Sequence, residues 1–220
     1  MITAGLDVSS NNIGWSINID GKYSCGTFSS KSVLIAERGY HYQQWLFHFL
    51  CGNHDGVRRG PKIQKLAMEE PLPSNRMRRE VSEGGMFDNK IVERFKPMTS
   101  MASLRGAYGF AFVTMVTAHI ARVPMMEINV QKWRHDFLGF RTKNTDDFGR
   151  PFKDKGARTE YYKAKAIARC EQLGLTPDTH DAAEAVGVNF CLDGLIQKEA
   201  LSRRVATAKE KAEALFSSPG

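Results

Sequence analysis

The sequence predicts an α/β fold, a mixed five-stranded sheet flanked by helices on both faces. Three observations carry that expectation. The first thirty residues read as short strands joined by tight turns, with Asp20-Gly21 a strong hairpin signal. Two more short apolar runs each follow a helical stretch, and parallel strands need helical crossovers. The 220 residues, 42% apolar and 25% charged, suit one globular domain that needs no disulfide or metal staple.

In chain order, Ile2–Val8 is apolar and short, Ser9-Ser10-Asn11-Asn12 is turn chemistry, and Ile13–Ile19 alternates apolar with small or polar side chains. Lys22–Phe28 returns as the third strand. Val33, Leu34, Tyr40, Trp45, Leu46 and Phe49 give a broad apolar face to a helix over Ser32–Cys51. A Gly-rich basic connection leads to the strand Ile63–Glu70, which Pro71 ends. Residues 71–98 have no clean periodicity and read as a long basic loop, of a length that is usually functional or disordered. Thr99–Arg122 is the clearest helix, and the small residues of its first half (Ala102, Ser103, Gly106, Ala107) permit close approach by another element. Met125–Val130 is the fifth strand, and Gln131–Leu138 a short helix stopped by Gly139. A second basic loop covers 141–158, turned by Phe148-Gly149-Arg150-Pro151, and helices over Thr159–Leu173 and Thr179–Leu192 follow. Residues 1–192 therefore read as one domain and 193–220 as a basic helical tail.

Thirty-one Lys and Arg against 24 Asp and Glu leave a net charge of +7, which fits a polyanionic partner such as nucleic acid. Cys25, Cys51, Cys170 and Cys191 contain no Cys-x-x-Cys pair, so zinc-ribbon and thioredoxin readings fail and free thiols in a reducing cytosol are expected. No basic region leads into an apolar one at the N-terminus, so no signal peptide is expected. The greasiest stretch, Phe110–Val123, is interrupted by Thr114, Thr117, His119 and Arg122, whereas a bilayer takes about 20 predominantly apolar residues. These features predict a cytoplasmic protein with no membrane partner.

Three acidic sites stand out by position. Asp7 falls at the end of the first, otherwise apolar strand, Glu69-Glu70 end the fourth, and Asp181 and Glu184 open a late helix on one face. A charge within a central strand is expensive unless it is paired or bound to a cation. If strands one and four are neighbours, Asp7 and one glutamate meet at the same sheet edge. The converging carboxylates then repel, and magnesium or manganese, which prefer hard oxygen ligands, would relieve them. Each site has a plainer reading when taken alone. Asp7 could start a polar turn, Glu69-Glu70 could be a solvated strand end, and Asp181 with Glu184 could complement a helix dipole. His180 reads as a packed or capping histidine, and Glu70, His180 and Asp178 are secondary metal candidates.

Gly5-Leu6-Asp7-Val8-Ser9 with Gly14-Trp15, Ala67-Met68-Glu69-Glu70-Pro71, and His180-Asp181-Ala182-Ala183-Glu184-Ala185 resemble the three acidic motifs of RuvC-type Holliday junction resolvases, the phage-encoded branch more closely. Ser103-Leu104-Arg105-Gly106-Ala107, Lys163-Ala164-Lys165-Ala166 and Leu173-Gly174 also fit, and the resemblance spans roughly residues 2–192. It implies a ribonuclease H-like fold, whose element order matches, and a homodimer that nicks two strands of a four-way junction with magnesium or manganese. The implied products are 5′-phosphate and 3′-hydroxyl ends, with no nucleotide cofactor. By motif, Asp7, Glu69, Asp181 and Glu184 are the implied catalytic and metal-binding residues, with Glu184 standing where the family usually has aspartate. Two ions per active site, about 3.5–4 Å apart, would straddle the scissile phosphate. Asp7 would bridge both, between Glu69 on one side and Asp181 with Glu184 on the other.

The basic loops are the expected DNA-binding surface: Arg76, Arg78, Arg79, Lys90, Arg94 and Lys96 in the first, and Arg141, Lys143, Arg150, Lys153, Lys155 and Arg158 in the second. Phe87 could stack on an unpaired base or pin its own loop. Three other readings stay in view. A sugar-kinase or actin-like ATPase shares the fold, but Ser9-Ser10-Asn11 replaces its Gly-Thr phosphate loop poorly and no later Gly-rich cradle appears. A flap or fork endonuclease of the same fold remains open, as does a branched-DNA-binding protein without activity.

Overall fold

The computed structural model describes residues 1–9, 12–53, 60–71, 77–82, 92–97, 101–140 and 143–216. Strands β1 (Ile2–Val8), β2 (Asn12–Ile19) and β3 (Lys22–Ser29) form an antiparallel meander, and β4 (Lys65–Glu69) and β7 (Met125–Ile128) extend it in parallel beside β1. The sheet order is β3-β2-β1-β4-β7, so the expected five-stranded mixed sheet forms and strands one and four are neighbours. Helices α1 (Ile35–Leu50) and α2 (Met101–Ile120) cover one face. Helices α3 (Val130–Leu138), α4 (Lys155–Gln172) and α5 (His180–Phe216) cover the other.

Strand periodicity sorts the side chains between these layers. Ala4 and Leu6 of β1, Ile13 and Ile17 of β2 and Leu66 of β4 pack with Tyr42, Leu46, Phe49 and Phe110 of α1 and α2. The alternate residues face α5 in three rows across the sheet. Thr3, Asn18 and Tyr23, which are opposite one another, all donate to the Asp193 carboxylate, from Thr3 Oγ1 at 2.7 Å, Asn18 Nδ2 at 2.7 Å and the Tyr23 hydroxyl. The next row, Gly5 and Ser16, lies beneath buried Asn189, whose Nδ2 is 3.4 Å from both Thr3 O and Ser16 Oγ. In the last row Asp7, Gly14 and Thr27 lie beneath the start of α5. Helix α5 is thereby fastened along its first four turns to three strands.

Several elements differ from the sequence expectation, each for a local reason. The stretch read as one loop, 71–98, contains a hairpin of β5 (Met77–Ser82) and β6 (Val92–Pro97), a separate two-stranded sheet. Its register sets Glu80 opposite Arg94 and Arg78 opposite Lys96, so charge occupies the positions where apolar alternation would have revealed strands. The second basic loop ends early because Asp154 caps α4, its Oδ1 accepting from Ala157 N at 2.8 Å. The two helices expected over 179–216 are one, since Asp193, Leu195 and Ile196 still pack inward past Leu192. Cys170 and Cys191 are buried, and all four cysteines are free thiols. Among the described residues, no helix is long and apolar enough to cross a membrane.

Candidate metal centre

The close approach of α5 to the sheet starts with a missing side chain. A Cβ on Gly14 would stand 1.9 Å from the Asp181 carbonyl oxygen, and one on Gly5 would stand 2.5 Å from that of Ala185. Glycine at these positions lets the first turns of α5 rest on the β1–β2 backbone. Thr179 Oγ1 caps the helix by accepting from Ala182 N at 3.1 Å and is itself 2.5 Å from Thr27 Oγ1. Asp181 and Glu184, three residues apart, consequently project over the end of β1, where the positive end of the helix dipole favours carboxylates.

Asp7, Asp181 and Glu184 each offer an oxygen, and these atoms all lie within 4.8 Å of one another. Glu69 sits beside them. Strand parity puts Ala67 and Glu69 on the α5 face and Met68 on the other, and after burial it is the Glu69 charge that most raises the pKa of Asp7. Trp133 Nε1 donates to Glu69 Oε2 at 2.6 Å, fixing the carboxylate from α3. That indole is fully buried against Gly187, where a Cβ would come within 2.6 Å of the ring.

Arg134 relieves the cluster only in part. Burial, then repulsion by Glu69, Glu184 and Asp181, holds the Asp7 carboxyl well above its usual range, against a weaker pull from Arg134. Burial and Glu184 push Glu69 up to about 7, with the Trp133 bond and Arg134 opposing. Burial raises Glu184 too, and Arg134 opposes it. Sequence reasoning missed Arg134. Its Nη2 donates to Glu184 Oε1 at 3.2 Å, and its guanidinium lies 4.8 Å from the Tyr162 ring centre and 5.2 Å from that of Trp133. Its Nε is buried with no hydrogen-bond partner among the described residues. One arginine on a short helix carries no period or motif, so only the fold reveals it.

The secondary candidates lie apart from this centre or at its margin. Glu70 Oε2 accepts from Asn129 Nδ2 at 2.8 Å, and Asp178 Oδ1 accepts from Thr27 Oγ1 at 3.1 Å, so neither joins the cluster. His180 opens α5 with Nε2 3.7 Å from Asp181 Oδ1. Lys153, Lys155 and Arg158 line one surface cavity of about 840 Å³, and Lys143 Nζ lies over the Phe140 ring at 5.4 Å. Arg78 and Arg79 fall in β5, and Arg94 and Lys96 in β6. Arg76, Phe87, Lys90 and Arg141 lie outside the described residues.

The donor set suits a hard divalent cation. It is all oxygen, it is anionic, and among the described residues its carboxylates outnumber the one guanidinium bonded to them.

No protein-family model matches the sequence, and no curated protein matches it either. Among solved structures, Thermus thermophilus RuvC in complex with a Holliday junction substrate aligns with a TM-score of 0.52 at 13% identity, covering 87% of this chain and 91% of that one. Another Thermus thermophilus RuvC structure gives 0.46 at 14% identity over 87% and 92% of the two chains. An Aquifex aeolicus member of the Ppx/GppA family gives 0.32 at 14% identity over 63% and 39%. The first of these matches, with the sheet order and the helices on both faces, makes the fold a RuvC-like member of the ribonuclease H-like class.

Proposed function

We propose that the chain is a metal-dependent, structure-selective DNA endonuclease that resolves four-way junctions by paired nicks leaving 5′-phosphate and 3′-hydroxyl ends. The observation that carries this reading is the convergence of Asp7, Asp181 and Glu184, with Glu69 alongside, in a partly buried cluster whose carboxylates repel one another. The RuvC structure with the matching fold is one bound to a Holliday junction substrate, which favours four-way junctions over flaps or forks.

Asp7, Asp181 and Glu184 would hold magnesium or manganese, and the Glu69 oxygen not bonded to Trp133 is available as well. When bound, the pair of ions implied by the motifs supplies polarisation of the scissile phosphate and charge stabilisation at the departing oxygen. Trp133 keeps Glu69 in one orientation, and Arg134 does the same for Glu184. The longer Glu184 side chain thus reaches Arg134 while keeping an oxygen within the acidic cluster, which is how glutamate serves where the motif usually has aspartate. Lys143, Lys153, Lys155 and Arg158, with the cations of the β5–β6 hairpin, would hold the DNA backbone, so affinity should fall steeply with salt.

A homodimer accompanies this reading. Helix α2 is apolar on its outer side as well as its inner side: Tyr108, Phe112, Met115 and Ile120 are exposed, beside Ile35 and Tyr40 of α1. A patch of that kind marks an association surface, and a second copy would place two metal centres on two strands. Sedimentation at micromolar concentration should return twice 24.7 kDa.

The test is to incubate the protein with a synthetic four-way junction, a Y-fork and linear duplex, with and without magnesium. Symmetric nicks in the junction, dependent on magnesium and absent from duplex, are expected. Preferential cutting of the fork would move the assignment to a fork endonuclease, and no cutting of any substrate would refute it.

A further inference from the structure

The loop between α3 and α4 holds an aromatic ring out in water on a rigid mount. Asp146 Oδ1 accepts from Phe148 N and Arg150 N, both at 2.9 Å, and its Oδ2 accepts from Arg150 Nε at 2.8 Å. Asp146 N donates to Arg150 O at 2.9 Å, and Gly149, at φ 76°, donates to Asp146 O at 3.1 Å. A bridge between Thr145 and Pro151 closes the turn. Asp147 ties it to α4 through Lys165 Nζ at 2.5 Å and the Tyr161 hydroxyl. Phe148 at the tip is nevertheless 82% exposed, with the Arg150 guanidinium over its ring at 5.0 Å.

Such a turn is not an accident of a slack loop. Phe148 stands among charged neighbours, Asp146, Asp147, Arg150 and Lys153, and not within an apolar patch of the kind that receives a protein or a membrane. An exposed ring backed by a guanidinium, in a segment (143–158) whose five Lys and Arg outnumber its three Asp, matches what an unpaired base needs, a flat apolar face together with attraction for its phosphates. The stem is also linked to Glu184 through Tyr162 and Arg134. The Tyr162 hydroxyl accepts from Lys143 N at 2.6 Å and donates to Lys143 O at 3.1 Å. The Tyr162 ring lies 4.8 Å from Arg134, which bonds Glu184.

We infer that Phe148, backed by Arg150, stacks on an unpaired base at the branch point of the DNA substrate. This rests on the nuclease reading above and adds the group that recognises the branch. The test uses the full-length protein in EDTA, a four-way junction carrying 2-aminopurine at its centre, and a linear duplex of the same arms. Wild type should quench the 2-aminopurine fluorescence. Phe148→Ala should lose at least half of that quenching and roughly fivefold or more in junction affinity, with duplex affinity unchanged. Phe148→Trp should restore both, its own emission being quenched on binding. Because residue 148 is exposed, the folded helical signal of each variant should match wild type. If wild type binds and cuts junctions but Phe148→Ala binds and quenches as well as it does, the stacking role is refuted while the nuclease reading stands. If wild type neither binds nor cuts branched DNA, both fall.

Discussion

Asp7→Asn should cut a four-way junction in magnesium about a thousandfold or more slowly than wild type, while binding it within a few fold. Asp7 offers an oxygen within 4.8 Å of those of Asp181 and Glu184, and burial, then the charges of Glu69, Glu184 and Asp181, raise its pKa. Asparagine keeps the shape and removes the charge, so the DNA surface should stay as it was while the proposed cation site would lose one of its carboxylates. Loss of several kcal/mol of transition-state stabilisation gives that factor at about 1.36 kcal/mol per tenfold. Single-turnover cleavage of an end-labelled junction, paired with a gel-shift titration, reads both quantities. A variant that cuts at more than about a tenth of the wild-type rate would remove Asp7 from the chemistry.

Gly14→Ala should cost about a hundredfold in cleavage without touching an acidic residue. Its new methyl would sit 1.9 Å from a backbone oxygen, that of Asp181, which no side-chain rotation relieves. Either β2 or the start of α5 must move by on the order of 1 Å, and a misplacement of that size costs about a hundredfold in rate. Overpacking of this kind also costs about 1–3 kcal/mol of stability, more when backbone is displaced. The matched control is Gly194→Ala in the same helix, where nothing lies within 4 Å of the added Cβ. That variant should be neutral or up to about 1 kcal/mol more stable. Thermal melting and junction cleavage of the two separate a close helix–sheet approach from a general intolerance of substitution.

The parts of this site that could be read in advance are those with a local signature. Asp7 ends an apolar strand, and Asp181 and Glu184 share a helix face by spacing alone. The ambiguity between Glu69 and Glu70 was resolvable only by knowing which face of β4 meets α5, because adjacent strand residues differ by nothing except side. Trp133 and Arg134 left no trace, since their partners stand 64 and 50 residues away and one turn of a short helix has no period to break. Asp193 was hidden in a similar way. It falls where the basic stretch begins, yet it is the acceptor that three strand residues share. The β5–β6 hairpin escaped because its facing positions are filled by opposite and like charges in place of alternating apolar side chains.

Melting temperature against pH, with and without manganese, tests most directly whether Asp7, Glu69, Asp181 and Glu184 form a cation site. A carboxyl whose pKa is raised on folding holds its proton more tightly in the native state. Its contribution to stability is therefore fully present below the unfolded value and is lost as pH rises through the folded one, for Glu69 from 4.5 to about 7. Metal-free protein should accordingly melt at falling temperature across that window. Manganese should raise the melting temperature of wild type at pH 8, have less effect at pH 4.5 where Glu69 holds its proton, and act only weakly on Asp7→Asn. Manganese that left wild type unchanged at pH 8, or that stabilised Asp7→Asn equally, would contradict such a site.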